Sequence, residues 1–357
     1  MKSRPLWLKN LLLSVGALAL TFCLIAVSAL FYFQRWLQTP LVLPAEGYTY
    51  NLQAGRTLSH LAHDLAGKEI LRHPKLLTLY ARLSDSTQVH AGEYFLSEGI
   101  TPQAMLEKLR KGDVVLYQVT LVEGWTFKQA LAVLQAQPGI NSLLAEKSEA
   151  QQLALLDLPI EHPEGWFFPD TYTYVRNTTD AEILRQAYAQ MQQVLLPLWN
   201  ARAENLPYKT PYEALIMASI IERETGAEWE RDEVAGVFVR RLARGMRLQT
   251  DPTVIYGMGE AYNGKITRKD LRQATPYNTY VVSGLPPTPI ALPGRAAIYA
   301  ALNPAKGTAL YFVAKGDGTT HFSDTLSEHN RAVRQYQLRR REDYRSTPPP
   351  ANPSPNP

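Results

Sequence analysis

Cysteine is nearly absent from this chain of 357 residues, and the single one, Cys23, lies inside an apolar run. A lone cysteine excludes an intrachain disulfide and any zinc site built on paired cysteines. The seven histidines are scattered. His60 and His63 could share a helix face, but no glutamate accompanies them in the pattern of zinc proteases. We therefore expect neither a metal ion nor another cofactor.

Strong net charge and the common nucleotide-binding motifs are also missing. The chain has 37 Lys and Arg residues against 33 Asp and Glu residues, a formal net charge of +4. This excess is too small to indicate a nucleic-acid partner. The sequence contains no P-loop, no dinucleotide-binding fingerprint and no G-x-S-x-G nucleophile elbow, which argues against nucleotide-dependent enzymes and serine hydrolases.

Charged residues are absent from one long apolar segment, residues 10–34. Its 25 residues are enough to span about 30 Å of hydrocarbon. Basic residues precede it, and Trp7 and Trp36 are placed as interface anchors. The positive-inside rule then predicts a cytoplasmic N-terminus (residues 1–9), one transmembrane helix (residues 10–34) and an extracytoplasmic remainder. A cleaved signal peptide is the alternative, although no clear small-x-small cleavage site follows.

A repeated pattern predicts a small α+β subdomain over residues 48–117, after a linker at 35–47. Gly55-Arg56-Thr57, Gly99-Ile100-Thr101 and Gly124-Trp125-Thr126 each follow a strand-like stretch and precede residues with helical apolar spacing. Each copy predicts a strand, a tight turn, a Thr cap and an amphipathic helix. Units of this kind resemble the LysM glycan-binding module; an ordinary structural domain is the alternative.

The most apolar helix expected outside the membrane runs from Thr210 to Gly226. Thr210, Pro211 and Glu213 form a helix-start signal, and Gly226 is a typical C-terminal residue. Residues 214–221 contain one hydroxyl and no charge, so we expect this helix to be buried in a core.

Two carboxylates, Glu222 and Glu224, follow that apolar stretch. At 100° per residue their side chains point roughly 200° apart, so they cannot form one paired site on the helix. The negative end of the helix dipole and burial would both raise the pKa of such a carboxyl, as a general acid requires. A solvated last turn is the simpler alternative.

The segments after this helix are polar and aromatic. Residues 246–259 alternate like a strand, and Tyr262-Asn263-Gly264-Lys265 has the Asn-Gly signal of a hairpin turn. A helix at 295–302, a hairpin of 309–314 with 320–322 and a last helix to about Tyr344 follow. These elements complete a larger α+β domain over residues 118–345, before a disordered Pro-rich tail at 346–357. Seven residues of the domain form a candidate sugar-binding set: Gln249, Thr250, Asp251, Tyr256, Tyr277, Asn278 and Thr279.

Amide, hydroxyl and phenol groups beside aromatic faces suit a sugar, and a carboxylic acid can protonate a glycosidic oxygen. Outside a bacterial inner membrane the abundant glycan is peptidoglycan. A hydrolase would need a second carboxylate, for which Asp251 and Asp170 are the candidates.

Several long motifs give the chain a family resemblance. They are LVEGWT, EGWFFPDTY, ASIIERET, RLARGMRLQTDPTVIYGMG, YNGKIT, ATPYNTY, SGLPP, YFVA, HFSDT and EHN. From the membrane segment to about Tyr344 the chain resembles the endolytic murein transglycosylase family (MltG, YceG-like). Thr288 and Leu292 depart from it, since they stand where glycine and a polar residue are usual.

The resemblance implies a single-pass inner-membrane lyase that cuts glycan strands between N-acetylmuramic acid and N-acetylglucosamine. It implies that Glu222 acts as both acid and base, forming a 1,6-anhydro end without water or a second carboxylate. It places Gln249, Tyr277, Asn278 and Thr279 in the glycan groove and leaves Asp251 a binding or structural role.

The implied partners are glycan strands, the lipid bilayer and, beyond these, peptidoglycan synthases (penicillin-binding proteins). Two rival functions stay open at this point. One is a muramidase that uses Glu222, Asp251 and water; the other is a scaffold that binds glycan and a synthase without cutting.

Overall fold

A computed structural model describes residues 6–224 and 228–338, and the chain divides into two compact units. The first unit extends to Tyr117 and includes Val175–Asn177; the second contains Gln118–Tyr174 and the chain from Thr178 onward. Both combine helices with short strands, as the predicted α+β class requires.

Helix α1 (Leu6–Leu37) contains the predicted transmembrane segment. Its span Asn10–Leu37 has 28 residues and a mean hydropathy of 2.4, long and apolar enough to cross a membrane. The end of the helix is different, because Trp36 and Leu37 are buried in the core of the first unit. Trp36, predicted as an interface anchor, stacks on Phe33.

The predicted linker at 35–47 also contacts the first unit. Leu41 is buried, and its N–H donates to the carbonyl of Ile100 over 2.8 Å. This segment is therefore packed rather than extended through solvent.

The first unit continues with β1 (Tyr48–Leu52), α2 (Leu58–Gly67), α3 (Pro74–Leu83), β2 (Gly92–Leu96) and α4 (Pro102–Lys111). Strands β1 and β2 pair antiparallel, with Tyr48 opposite Leu96. Gly55 and Gly99 each adopt a φ of +81°, and Thr57 and Thr101 begin the helices that follow. The predicted sequence of strand, turn, Thr and helix is thus confirmed, while the LysM resemblance stays a prediction.

The remaining elements form the second unit, apart from Tyr117, the first residue of β3, which belongs to the first unit. In chain order they are β3 (Tyr117–Thr120), α5 (Phe127–Gln135), α6 (Glu149–Leu156), β4 (Thr171–Tyr174), α7 (Asp180–Asn200), α8 (Pro211–Glu224), α9 (Arg231–Ala243), α10 (Asp251–Met258), α11 (Arg295–Leu302), β5 (Tyr311–Ala314), β6 (Thr320–Ser323) and α12 (Leu326–Val333). Strand β3 pairs with β4, and β5 pairs antiparallel with β6. The sequence predicted α11 and the last hairpin correctly.

Helix α8 is the centre of the second unit. Every residue from Ala214 to Ile221 is buried, as predicted, and α8 packs against α7, α9, α10 and α11. The one hydroxyl in this stretch, Ser219, is hydrogen-bonded twice: it donates to the carbonyl of Ile216 over 2.7 Å and accepts from Ile290 N–H over 3.0 Å. The buried hydroxyl therefore anchors the Pro-rich loop at residues 283–294 to α8, and both of its hydrogen-bonding groups are satisfied.

The strand predicted at 246–259 is wrong, because Asp251–Met258 is helix α10. Thr250 is its extended N-cap, and Asp251 and Pro252 occupy the first turn. Thr-Asp-Pro is a helix-start signal, and over eight residues it outweighs a period-two alternation.

The hairpin predicted at Tyr262–Lys265 is wrong as well. No strand flanks this turn among the described residues around it, although Gly264 does adopt a positive φ of +91°. The predicted final helix begins as α12 and continues as a π-helix to Leu338. Its predicted end, the Pro-rich tail and Gly226 lie outside the described residues.

Candidate active site

The carboxyl group of Glu222 is held from two sides near the end of α8. Gly294 N–H donates to its Oε2 over 2.9 Å, and Arg231 Nη2 donates to its Oε1 over 3.3 Å. Gly294 is the N-cap of α11 and Arg231 is the first residue of α9. The side chains of Glu222 and Arg231 are only 5% and 9% exposed. One buried carboxyl thus meets the beginnings of two helices, where N–H groups and a cation favour negative charge.

Two loops distant in sequence run beside this carboxyl. Gly124 N–H donates to Leu292 O over 2.9 Å, and Leu292 N–H donates to Trp125 O over 2.7 Å. A Cβ placed on Gly124 would lie 4.0 Å from Cγ of Glu222. The 124–125 loop and the 292–294 loop therefore enclose the base of the Glu222 side chain.

Opposing influences act on the Glu222 proton. Burial raises the pKa of Glu222, while the Gly294 N–H and the positive charges of Arg231 and Arg223 lower it. The exposed carboxylate of Glu123 raises this pKa further. The raised pKa expected from the sequence is confirmed in direction, with burial as its main cause.

Glu224 has different surroundings, as its helical position predicted. Its Oε2 accepts a hydrogen bond of 2.7 Å from the Thr250 hydroxyl. Burial raises the pKa of Glu224 to about 7, the hydroxyl of Thr250 opposes this shift, and the charge of Asp251 adds to it. Glu224 is therefore a partly buried, hydrogen-bonded carboxyl and not the solvated end of a helix.

A cavity of about 680 Å³ reaches two neighbours of Glu222, Gly124 in space and Arg223 in sequence, although Glu222 itself does not line it. Gly124 and Arg223 line it, and Arg223 Nη1 donates to the Gly124 carbonyl over 3.1 Å. Its other lining residues are Thr126, Lys128, Gln129, Glu164, Pro252, Ile255, Tyr256, Gly259, Glu260, Tyr262, Tyr277 and Ile290. Aromatic rings, amides and carboxyl groups together can bind a sugar through stacking and hydrogen bonds.

Glu164 is a buried acid in the wall of this cavity, and its side chain accepts hydrogen bonds from two elements. Phe127 N–H donates to Oε1 over 2.9 Å, and the Tyr256 hydroxyl donates to Oε2 over 3.1 Å. Burial raises the pKa of Glu164 to about 7, although these donors and the Gly165 N–H favour the ionised form. Glu164 thereby connects the start of α5 to α10.

Five of the seven predicted sugar-binding residues separate into two groups, whereas Gln249 and Asp251 are exposed and do not line the cavity. Tyr256 and Tyr277 line the cavity, with their rings edge to face at 4.9 Å. Thr250, Asn278 and Thr279 are buried, at 2%, 1% and 0% exposure.

The buried group and the exposed Gln249 are hydrogen-bonded within the protein. Thr250 N–H donates to the Thr279 hydroxyl over 3.1 Å, and Gln249 N–H donates to the Thr279 carbonyl over 3.1 Å. Asn278 Nδ2 donates to the carbonyls of Asp270 and Gln273. These residues join the loop before α10 to the loop at 273–279, behind the cavity.

The two acids considered for a hydrolase lie elsewhere. Asp251 accepts a hydrogen bond of 2.7 Å from the Tyr280 hydroxyl, and Asp170 accepts one of 2.7 Å from Thr171 N–H. The acid whose charge acts on Glu222 is Glu123. Sequence reasoning did not single out Glu123, Glu164 or Arg231. The first two lie in the motifs LVEGWT and EGWFFPDTY, which could have drawn attention to them.

The two residues that depart from the family pattern are both buried. Leu292 is fully buried, and its backbone forms the loop pairing beside Glu222. Thr288 is 8% exposed and contacts Tyr277. The described residues contain no group of three or more His, Cys, Asp or Glu side chains placed to hold a metal ion.

Comparisons with known proteins agree with one another. The sequence profile of the YceG-like family matches residues 50–335. An endolytic murein transglycosylase of Bacillus subtilis (strain 168) is 32% identical over 303 residues, covering 80% of this chain and 84% of that protein. An endolytic murein transglycosylase of Streptococcus pneumoniae (serotype 2, strain D39) is 28% identical over 350 residues, covering 88% of this chain and 63% of that protein.

A solved structure is similar as well. The crystal structure of a YceG-like protein from Listeria monocytogenes matches with a TM-score of 0.51 and 31% sequence identity. The match covers 81% of this chain and 99% of the Listeria chain.

Proposed function

The chain belongs to the YceG-like family, and from this premise we propose that it is an endolytic peptidoglycan lytic transglycosylase. It cuts the bond between N-acetylmuramic acid and N-acetylglucosamine within glycan strands and leaves 1,6-anhydro ends. The observation that carries the proposal is the buried carboxyl of Glu222, held by Gly294 and Arg231 at the edge of an aromatic-lined cavity.

Glu222 performs both proton transfers. Its acid form donates a proton to the glycosidic oxygen as the C1–O bond breaks. The resulting carboxylate takes the proton of the muramic C6 hydroxyl, and O6 bonds to C1. The proton returns to Glu222, so the cycle needs neither water nor a second carboxylate.

The surroundings of Glu222 support both halves of this cycle. Burial raises the pKa of Glu222 and so favours the acid form that starts the reaction. Arg231 and the Gly294 N–H stabilise the carboxylate formed halfway through.

Tyr256 and Tyr277 are the proposed sugar-contacting residues, because their rings line the cavity. We assign Gln249, Thr250, Asn278 and Thr279 a supporting role, holding the loops that carry the cavity wall. The proposed location is the inner membrane, with α1 as a single-pass anchor and the catalytic unit in the periplasm. Peptidoglycan synthases are the proposed protein partners.

The test uses the full-length protein in detergent with purified, uncrosslinked glycan strands, and mass spectrometry of the products. We expect internal fragments with anhydro ends from the wild type. Glu222→Gln should reduce the rate about a hundredfold or more, the usual contribution of a general acid. Glu224→Gln is the matched control on the same helix turn and should cost less than about tenfold.

The alternative outcomes discriminate between the rival functions. Reducing ends would indicate a muramidase in which water attacks and Glu123 supplies the second carboxylate. Equal losses in Glu222→Gln and Glu224→Gln would contradict the assignment of the acid. Binding without any cutting by the wild type would favour the scaffold.

A further inference from the structure

A chain of polar contacts stiffens one wall of the cavity. The Tyr277 hydroxyl lies 2.9 Å from Oγ1 of Thr288, and the Tyr256 hydroxyl donates to Glu164. The rings of Tyr256 and Tyr277 contact each other edge to face at 4.9 Å. These four side chains connect α10, the loop at 273–279, the Pro-rich loop and the segment before β4.

Thr288 acts on this wall from behind. It does not line the 680 Å³ cavity that Tyr256 and Tyr277 face; it lines a separate cavity of about 410 Å³. A ligand in the larger cavity would therefore contact Tyr256 and Tyr277 but not Thr288.

Thr288 has two polar partners in this wall. Its hydroxyl can donate to the carbonyl of Pro289 over 2.8 Å, and either hydroxyl can be the donor in the contact with Tyr277. The Tyr256 hydroxyl donates to Glu164. Whichever hydroxyl donates, the Tyr277 phenol is held by Thr288 from behind the wall.

The backbone near Thr288 has a defined position. Ile290 N–H is bonded to Ser219, one turn before Glu222 on α8. The Pro289 ring packs against Gly165, where an added Cβ would lie 2.4 Å from that ring. Thr288 is thus tied both to the helix that carries Glu222 and to the neighbour of Glu164.

We propose that Thr288 is a positioning residue that holds Tyr277 in place in the wall of the glycan-binding cavity. The wall then offers the sugar an aromatic surface in a fixed position. This inference rests on the proposed function, because it assumes that the cavity binds the glycan strand.

The test separates binding from chemistry and compares four variants with the full-length wild type. KM and kcat are measured on uncrosslinked glycan strands for Thr288→Val, Thr288→Ser, Tyr277→Phe and the double variant Thr288→Val with Tyr277→Phe. Thr288→Val keeps the shape of the side chain and removes the hydroxyl that contacts Tyr277. We expect its KM to rise about fivefold, the usual value of one hydrogen bond, with kcat within about twofold of the wild type.

Two further results are required. Thr288→Ser should restore KM to within about twofold of the wild type. In the Tyr277→Phe background, adding Thr288→Val should change KM no further, because residues that act through one contact are not additive. Thr308→Val is the matched control, since its exposed hydroxyl contacts Asp324 away from the cavity, and it should leave both constants unchanged.

Additive effects in the double variant, an unchanged KM in Thr288→Val, or a loss confined to kcat would each overturn the positioning role. Failure of the proposed function has a different signature, since the wild type itself would then produce no anhydro ends. Near-UV circular dichroism of each variant identifies any that misfolds. For such a variant, the comparison of Thr288→Ser with the wild type and with Tyr277→Phe decides the question.

Discussion

At the residue scale, the second unit places carboxyl groups in three different environments. Glu222 is balanced between burial and two donors, Glu164 is fixed between two elements, and Glu224 has a single hydroxyl partner. Burial raises the pKa in all three cases, yet only Glu222 combines this shift with an adjacent cation, Arg231. That combination suits a group that must act first as acid and then as base.

The raised pKa of Glu224 predicts a pH-dependent stability. Its pKa is about 7 in the folded protein against 4.5 in the unfolded chain. The folded state therefore favours the protonated form, and its contribution is complete below pH 4.5 and is lost as the pH rises through 7. Glu224→Gln stays neutral and can still accept from Thr250. We expect it to be more stable than the wild type at pH 8, by up to about 3 kcal/mol, and similar at pH 4.5.

Thermal denaturation of the full-length protein in detergent at the two pH values measures this difference. The exposed Glu204→Gln is the control and should follow the wild type at both. If Glu224→Gln loses as much stability as the wild type between pH 4.5 and 8, ionisation of Glu224 does not cause the loss of stability at high pH.

At the scale of elements, loops far apart in sequence form the site by packing on α8. Ser219 accepts a hydrogen bond from the Pro-rich loop, and Gly294, the last residue of that loop, donates to Glu222 at the start of α11. Close approach at Gly165 brings the segment before β4 against the same loop. The position of the cavity wall therefore depends on contacts that leave no room for added atoms.

Gly165→Ala should destabilise the second unit much more than Gly245→Ala. Both glycines have positive φ, +81° and +68°, which costs any other residue about 1 kcal/mol. A Cβ at Gly165 would also lie 2.4 Å from the rigid ring of Pro289, whereas a Cβ at Gly245 would meet nothing within 4 Å. We expect a loss of about 3 kcal/mol for Gly165→Ala and about 1 kcal/mol for Gly245→Ala.

Chemical denaturation followed by near-UV circular dichroism compares these two variants. Similar losses would show that the Pro-rich loop moves freely to accept the methyl group. In that case the loop would not hold Thr288 as rigidly as the further inference requires.

At the scale of the whole molecule, the two ends of α1 have different surroundings. Its exposed apolar part from Asn10 is suited to a bilayer, while Trp36 and Leu37 belong to the core of the first unit. A cleaved signal peptide would not carry its last turn into the core of a folded domain. One continuous helix thus contains both the candidate membrane span and part of the core of the first unit.

The membrane topology gives a separate prediction. With an epitope at each end, the full-length protein should remain in the membrane after an alkaline carbonate wash. Protease added to spheroplasts should remove the C-terminal epitope and leave the N-terminal one, because the basic residues before Asn10 favour the cytoplasmic side. Replacing Lys2, Arg4 and Lys9 by Glu should weaken this orientation. Release of a shortened chain would indicate a cleaved signal peptide instead.

The sequence was sufficient wherever the signal was local. The apolar segment in α1, the capped and uncharged helix α8, the hairpin of β5 and β6, and the opposite faces of Glu222 and Glu224 all follow from residue spacing. It misled at 246–259, where a short alternation indicated a strand and the Thr-Asp-Pro start of α10 was overlooked. The family motifs predicted the enzyme class, and they indicated Glu222 as the catalytic residue among several acids.

The amino-acid sequence by itself thus determined the apolar segment of α1 and the central helix, because each depends on neighbouring residues in the chain, and its family motifs indicated the type of chemistry. Tertiary structure alone decided which groups surround the acid. Arg231 lies nine residues from Glu222, but Gly294 is 72 residues away, and Thr288 meets Tyr277 across a loop. Such partners are chosen by how helices pack and where loops return. No local sequence pattern encodes these contacts, because the same residues could equally well face solvent in another fold.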